Sequence, residues 1–286
     1  WKDLTTKGAL LGGLTGLVQG SVASEHEIAL SLERMHRIES IDPVGRTMTV
    51  EAGVAVQRIQ EEAEKHGLLY PVDFGARGSA HIGGSAATNA GGNGVIRYGM
   101  TRDSVLGLEA VLADGTVIPA MNRMIKNNAA YDVKQLFIGT EGTLGVITRL
   151  VLRLRESPRS TQSALVACPA FADVTRFLKH VDGALGGSLS AFELMWNEFY
   201  RMVTTPPSKG TPPLPQTYDY YVLVESAGGD PTRDQAQFEE AIAAAIEAGL
   251  VVDAVVCSSE AQCDALWALR DDVEQLSEAL RRVHGA

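Results

Sequence analysis

Cysteine is scarce in this chain: three residues, Cys168, Cys257 and Cys263, among 286. They are too few and too scattered for a disulfide framework, and no Cys-x-x-Cys occurs. Cys257 and Cys263 could pair by spacing, but the pattern reads as inert thiols in a reducing cytosol, so a cytoplasmic location is expected. Long apolar runs are also missing. Ala9 to Val18 is interrupted by glycines and falls far short of the roughly 20 residues a membrane helix needs. No basic segment followed by an apolar core marks a signal peptide. Positive charge is in deficit, with 25 Lys and Arg against 35 Asp and Glu and a net charge of −10. That argues against nucleic-acid binding, and an anionic substrate needs a local cluster of donors because the overall field does not attract it. No Walker loop and no nicotinamide-type G-x-G-x-x-G is found. The six histidines (His26, His36, His66, His81, His180 and His284) lack metal-ligand spacing.

Glycine is what the chain has in plenty. In the twenty residues from Gly75 to Gly94, seven are glycine and most others are Ala, Ser, Thr or Asn. Such a segment is not expected to build a core. Its use is backbone access, because glycine lets main-chain N–H groups approach a ligand and tolerates positive φ, and successive exposed N–H groups form anion-binding concavities. Shorter glycine segments lie at 12–20 and 139–145. Taken alone, the first reads as a packed turn. Together the three fit a ligand with a pyrophosphate and a planar ring system, a dinucleotide held outside a Rossmann fold.

Hydrophobic content of 45% and charged content of 21% mark a globular chain, long enough for two domains. Strands are expected at Glu27 to Glu33, Thr47 to Ala52, Leu68 to Pro71, Val105 to Ala113, Thr116 to Pro119 and Val146 to Leu154. A helix is expected from Ala55 to His66, ended by Gly67, and a short helical pattern at Tyr131 to Phe137. Ser157-Pro-Arg marks a boundary, which gives domains at 1–155 and 156–286. Beyond it strands at Ser163 to Ala167, Leu189 to Trp196, Tyr218 to Val224 and Val251 to Val256 alternate with helices at Phe171 to Leu185, Asp234 to Ala248 and Ser259 to Val283. This is the pattern of a ferredoxin-like α/β sandwich. Pro206 to Pro215 reads as an exposed loop. Both ends of the chain read as truncation points.

Gly12-Gly-Leu-Thr-Gly-Leu-Val-Gln-Gly20, His81-Ile-Gly-Gly-Ser-Ala-Ala-Thr-Asn-Ala-Gly-Gly92, Arg97-Tyr-Gly, Val105-Leu-Gly-Leu-Glu and Leu136-Phe-Ile-Gly-Thr-Glu-Gly-Thr-Leu-Gly-Val-Ile-Thr148 resemble the FAD-linked oxidases of the vanillyl-alcohol-oxidase type. The branch they are most similar to is that of the D-2-hydroxyacid dehydrogenases (D-2-hydroxyglutarate dehydrogenase, D-lactate dehydrogenase and the glycolate oxidase catalytic subunit). The resemblance runs in order from about residue 9 to 283. It implies an α+β architecture, with a two-part FAD-binding domain and a partial ferredoxin-like cap.

The resemblance also implies roles. Gly12, Gly13, Leu14, Thr15 and Gly16 would wrap the FAD pyrophosphate. Gly75, Ser79, Gly83, Gly84, Thr88, Asn89 and Gly92 would line the ADP half and the isoalloxazine edge, and Glu141, Gly142, Gly145 and Ile147 would close the adenine side. Leu14 stands where relatives with covalent flavin carry a histidine, so non-covalent FAD is expected. His81 is tempting as a base, but reads more readily as a structural histidine under the cofactor. Arg270 matches a cap arginine that binds the substrate carboxylate, bidentate by its planar guanidinium. Glu274 occupies the place of a threonine in hydroxyglutarate-specific relatives and would repel a second acidic group. The family's His-rich Gly-Asp-Gly-Asn segment, which binds a divalent metal, has no counterpart here. The reaction the resemblance implies is oxidation of a D-2-hydroxy acid to a 2-oxo acid by hydride transfer to flavin N5, with a quinone, an electron-transfer flavoprotein or a cytochrome as electron acceptor. A homodimer is allowed. The alternatives are a non-redox flavoenzyme like alkyl-glycerone-phosphate synthase and a non-catalytic FAD-binding subunit.

Overall fold

In the computed structural model, which describes residues 8–16, 25–26, 28–208 and 210–272, the chain divides into two units, Trp1–Ser157 and Pro158–Ala286. In the first, β1 (Gly8–Leu11) pairs in parallel with β2 (Ile28–Ser31). There follow β3 (Ile38–Asp42), β4 (Thr47–Glu51), α1 (Val56–Glu64), β5 (Leu68–Leu69), α2 (Ile82–Ala87), α3 (Val95–Tyr98), β6 (Val105–Val111), β7 (Val117–Ala120), β8 (Val146–Arg153) and β9 (Arg155–Glu156). Five of these strands form a sheet in the order β3-β4-β8-β6-β7, antiparallel at every join.

β4 is buried along its whole length, Glu51 included. A buried carboxylate is tolerated only when it is paired and hydrogen-bonded. The Arg37 guanidinium donates to Glu51 through Nε at 3.1 Å and Nη2 at 2.8 Å, and the Arg37 backbone N–H adds a third bond. These bonds hold the Glu51 carboxyl below the usual carboxylate range. α1 turns Val56, Ile59 and Ala63 inward and stops at Gly67, whose φ of +69° a side chain resists.

The glycine-rich stretch differs from expectation. It is not excluded from the core: Ala80, Ile82, Ala86 and Ala87 are buried and join the same apolar cluster as Val50, Val54, Leu150 and Leu152. The reason is backbone pairing. Val56 N donates to Ala80 O at 2.9 Å, Ile82 N to Val54 O at 2.9 Å and Gly83 N to Ala52 O at 2.8 Å. With its polar groups bonded this way, a run of small residues packs tightly.

The second unit contains β10 (Ser160–Cys168), α4 (Phe171–Ala184), β11 (Leu189–Trp196), α5 (Asn197–Thr204), β12 (Tyr220–Gly228), α6 (Pro231–Glu247), β13 (Asp253–Val256) and α7 (Glu260–Asp271). Its antiparallel sheet runs β11-β12-β10-β13, the split β-α-β arrangement expected of a ferredoxin-like unit. Helices cover both faces. Phe177 and Val181 of α4 and Phe238 and Ile242 of α6 pack on Val166, Val222 and Val224. Tyr200 and Val203 of α5 and Leu266 and Leu269 of α7 pack on Leu165, Tyr221 and Leu223. Burial on both sides explains why Ala164 to Cys168 is apolar at every position rather than alternating. α6 starts at Asp230, whose carboxylate accepts the Arg233 N–H at 3.2 Å, with Pro231 at the first helical position.

α5 lies outside the expected helices although Phe199, Tyr200 and Val203 recur at helical spacing, and it alters the reading of the proline-rich segment. That segment is not wholly exposed: Leu214 is buried. The Tyr200 hydroxyl donates to Leu214 O at 2.9 Å and accepts from Leu214 N at 3.0 Å, and burial pushes the phenol up to about 12. Replacement Tyr200→Phe strands both backbone groups and is expected to cost about 1–3 kcal/mol in urea unfolding. A loss below about 0.5 kcal/mol, within the range of a neutral surface change, would show that this hydroxyl does not pin the segment.

Candidate functional site

The three glycine segments meet at α2. From the N-terminal side, Gly13 lies so close to the stretch before α2 that a Cβ on it would sit 1.9 Å from Ser79 O, and a Cβ on Gly12 would reach Gly84 Cα at 3.6 Å. From the C-terminal side, Gly139 N donates to Ala86 O at 3.1 Å and Glu141 N to Ala87 O at 2.9 Å. Arg102 clamps this join. Its guanidinium bonds Gln135 O at 3.1 Å and Ile138 O at 2.6 Å, and its backbone N–H donates to Asn89 Oδ1 at 2.9 Å. Arg102 escaped the sequence reading because its partners are mostly carbonyls, which leave no mark on residue type.

The predicted cofactor positions fall into two groups. Some glycines are packed against protein. A Cβ on Gly83 would lie 2.6 Å from Ala52 Cβ, on Gly92 2.3 Å from Asp73 O and on Gly145 2.9 Å from Val111 O. Ile147 is buried in the core. The Thr88 hydroxyl is engaged by Gly84 O at 3.0 Å, and the Asn89 amide by Arg102. These residues shape the wall. Others are open: a Cβ on Gly16 or Gly75 meets nothing within 4 Å, Leu14 is 61% exposed, and Ser79 and Glu141 are exposed, Thr15, Gly84 and Gly142 partly so. Leu14, Asn89 and Glu141 also have positive φ, at 56°, 49° and 51°. A left-handed conformation costs a residue with a side chain about 1–2 kcal/mol, and each glycine segment carries such a residue among those described. His81 precedes α2 with its ring partly exposed, and burial lowers its pKa against a small opposing effect of Glu33.

In the second unit the α7-facing side of the sheet carries two carboxylates, Glu193 on β11 and Glu225 on β12. Each is taken by α7. Trp267 Nε1 donates to Glu225 Oε2 at 3.0 Å, and Ser190 Oγ to Glu225 Oε1 at 2.8 Å. Arg270 Nε donates to Glu193 Oε2 at 2.8 Å, with Asp271 Oδ1 3.6 Å from its Nη1. Arg270 is therefore not a freely solvated helix arginine: its side chain is 31% exposed and held at one edge by Glu193. Nη2 makes no hydrogen bond among the described residues. Glu274 lies outside the described residues, as does the expected continuation of α7 to Val283. Among the described residues no group of three or more His, Cys, Asp or Glu side chains is placed to hold a metal ion.

The family pattern described as "FAD binding domain" matches residues 4–120, and that described as "FAD linked oxidases, C-terminal domain" matches residues 157–286. The chain belongs to the FAD-linked oxidases. FAD is accordingly its cofactor, and the open positions fit that group: backbone without Cβ at Gly12, Gly16 and Gly75, and short hydroxyls at Thr15 and Ser79. The chain is 41% identical over 271 residues to D-2-hydroxyglutarate dehydrogenase, mitochondrial, of Bos taurus, covering 95% of this chain and 49% of that protein. It is 40% identical to D-2-hydroxyglutarate dehydrogenase of Xanthomonas citri pv. viticola, covering 95% and 56%. It thus spans about half the length of these relatives. Among solved structures, alkyldihydroxyacetonephosphate synthase superposes with a TM-score of 0.74 at 16% identity over 94% of this chain and 50% of that one. That likeness shows a shared fold of the vanillyl-alcohol-oxidase type.

The two groups of glycines separate by experiment. Gly13→Ala and Gly83→Ala are expected to lower stability by about 1–3 kcal/mol through overpacking. Gly16→Ala and Gly75→Ala are expected to leave it unchanged and to register only in FAD affinity. Equal melting temperatures for all four apoproteins would contradict this division.

Proposed function

We propose that this chain holds the FAD and the substrate carboxylate of a dehydrogenase that oxidises a D-2-hydroxy acid to a 2-oxo acid. The observation that carries the reading is 36–41% identity, over nearly the whole chain, to D-2-hydroxyglutarate dehydrogenases. Residues 1–155 are the FAD-binding domain and 156–286 the cap. Gly12, Leu14, Thr15, Gly16, Gly75, Ser79, Gly84 and Gly142 contact FAD directly. Gly83, Thr88, Asn89, Gly92, Gly145 and Ile147 give the cradle its shape, and Glu141 contributes through its backbone N–H bond to Ala87 O while its side chain stays open. When bound, FAD accepts the substrate's two electrons as a hydride.

Arg270 anchors the substrate carboxylate. Glu193 occupies Nε, and the Nη1–Nη2 end, with Asp271 Oδ1 3.6 Å from Nη1, is the edge that meets the substrate carboxylate. Because Glu193 and Asp271 already balance its charge, recognition depends on the geometry of the fork more than on net attraction. A quinone, an electron-transfer flavoprotein or a cytochrome reoxidises the flavin, and a homodimer belongs to this reading. Free thiols ask for a reducing compartment, of which the cytoplasm is one; relatives carry "mitochondrial" in their names. No helix among the described residues is long and apolar enough to cross a membrane.

Anaerobic mixing of the FAD-loaded protein with D-lactate, D-2-hydroxyglutarate and related D-2-hydroxy acids is expected to bleach the flavin with at least one of them. Arg270→Met raises the KM for that acid about 10- to 100-fold, as the loss of a charged hydrogen-bonded pair requires. A panel without bleaching sinks the dehydrogenase reading in favour of a non-redox flavoenzyme or a binding subunit. Because Leu14 has no nucleophile, acid precipitation should release all the FAD into the supernatant; flavin retained in the pellet would refute non-covalent binding.

A further inference from the structure

His81 lies where the three glycine segments meet, yet the fold does not use its side chain. Its backbone does the positioning. His81 bridges to Ala55, and its carbonyl accepts Ser85 N at 3.0 Å and Ser85 Oγ at 3.2 Å. The imidazole is divided between two environments. Nδ1 is buried and has no hydrogen-bond partner among the described residues, while the residue is partly exposed. The accessible edge is the opposite one, which carries Nε2.

This division selects one protonation state. A proton on Nδ1 would bury a donor with no acceptor, and orphaned N–H groups are the rarer and more costly defect. An imidazolium needs a proton on both nitrogens and incurs the same penalty along with the desolvation of a charge. Among the described residues Glu33 is the charged group that favours the imidazolium, and burial outweighs it. What remains is the neutral ring with its proton on Nε2 and a bare Nδ1.

We propose that His81 binds FAD as a fixed Nε2–H donor and is not the base of the reaction. Nε2 already carries its proton, and Nδ1, which lacks one, is sealed from substrate. A neutral donor at the cradle complements the acceptors a flavin dinucleotide presents, its phosphate oxygens and ring carbonyls, without adding a charge that titrates near neutral pH. The inference rests on the FAD-binding reading of the glycine segments.

The test uses FAD affinity and side-chain NMR. In the FAD-loaded protein, ¹⁵N spectra are expected to show His81 protonated at Nε2 alone at neutral pH. His81→Gln, whose amide nitrogen reaches the Nε2 position, keeps the Kd for FAD within about threefold. His81→Asn, which reaches only the Nδ1 position, and His81→Leu weaken it about tenfold, the worth of one net hydrogen bond. Thermal unfolding of the apoproteins checks that each variant is folded, and the Gln and Asn pair suffices if Leu is not tolerated. A proton on Nδ1, an imidazolium at neutral pH, or equal Kd values for Gln and Asn overturns the role of His81 while FAD binding stands. Failure of the unaltered protein to bind FAD overturns the cofactor reading, and this one with it.

Discussion

Backbone lying directly on backbone is the constraint on which the first unit depends. Gly13 against Ser79 and Gly83 against Ala52 come closer than any residue with a side chain permits, since a Cβ would fall at 1.9 Å and 2.6 Å from its neighbours. These approaches bring three distant stretches to one short helix. They also explain why α2 exists. Ile82-Gly-Gly-Ser-Ala-Ala87 has little helical propensity of its own; the pairing of residues 80–83 with 52–56 fixes its start, and Gly139 and Glu141 bond the carbonyls at its end. Tertiary bonds make the helix, and the helix then gives the three glycine segments a common seat.

A second consequence concerns where glycine is needed. Composition suggests that the glycines all face a ligand. The structure distributes them between two tasks, close packing at 13, 83, 92 and 145 and open approach at 12, 16 and 75. The strained residues share this logic. Leu14, Asn89 and Glu141 each adopt positive φ within a glycine segment, and such conformations persist only where the surroundings impose them. For Asn89 the restraint is visible as its bond to Arg102 N. The second unit relies on a different device. Its sheet is covered on both sides, and α7 is pinned to it by Leu266 and Leu269 in the core and by Trp267 and Arg270 on two carboxylates. An arginine held in this way has lost most of its orientational freedom, which suits the anchoring role proposed for it.

Much of the fold was legible. β4, β6 and β8 show β-type alternation or continuous burial, and α1, α4 and α6 show helical spacing with recognisable ends at Gly67 and Asp230-Pro231. The order β-α-β-β-α-β in the second half was readable for the same reason. The elements outside the expected ones lack regular alternation or clear boundaries. β3 is an edge strand whose core-facing Ile38 and Ile41 stand three residues apart, because a register shift between Ile38 and Ser40 breaks the alternation. α5 follows β11 with no intervening loop and no capping side chain. The buried Leu214 is invisible without Tyr200, because its partner lies fourteen residues away on an element that was itself unread.

The sequence alone determined that three segments leave backbone bare of side chains, that position 14 offers no nucleophile to a flavin, and that an arginine stands at 270. These are properties of residue types, and a missing side chain is as plain in a sequence as a present one. Only the tertiary structure decided which glycines stand open and which pack on protein, that Glu193 holds one edge of Arg270, and that His81 Nδ1 is sealed while its other edge is open. Those are statements about what lies beside a residue. Contacts between segments tens of residues apart, made largely through main-chain atoms common to all residues, leave no local trace in a sequence.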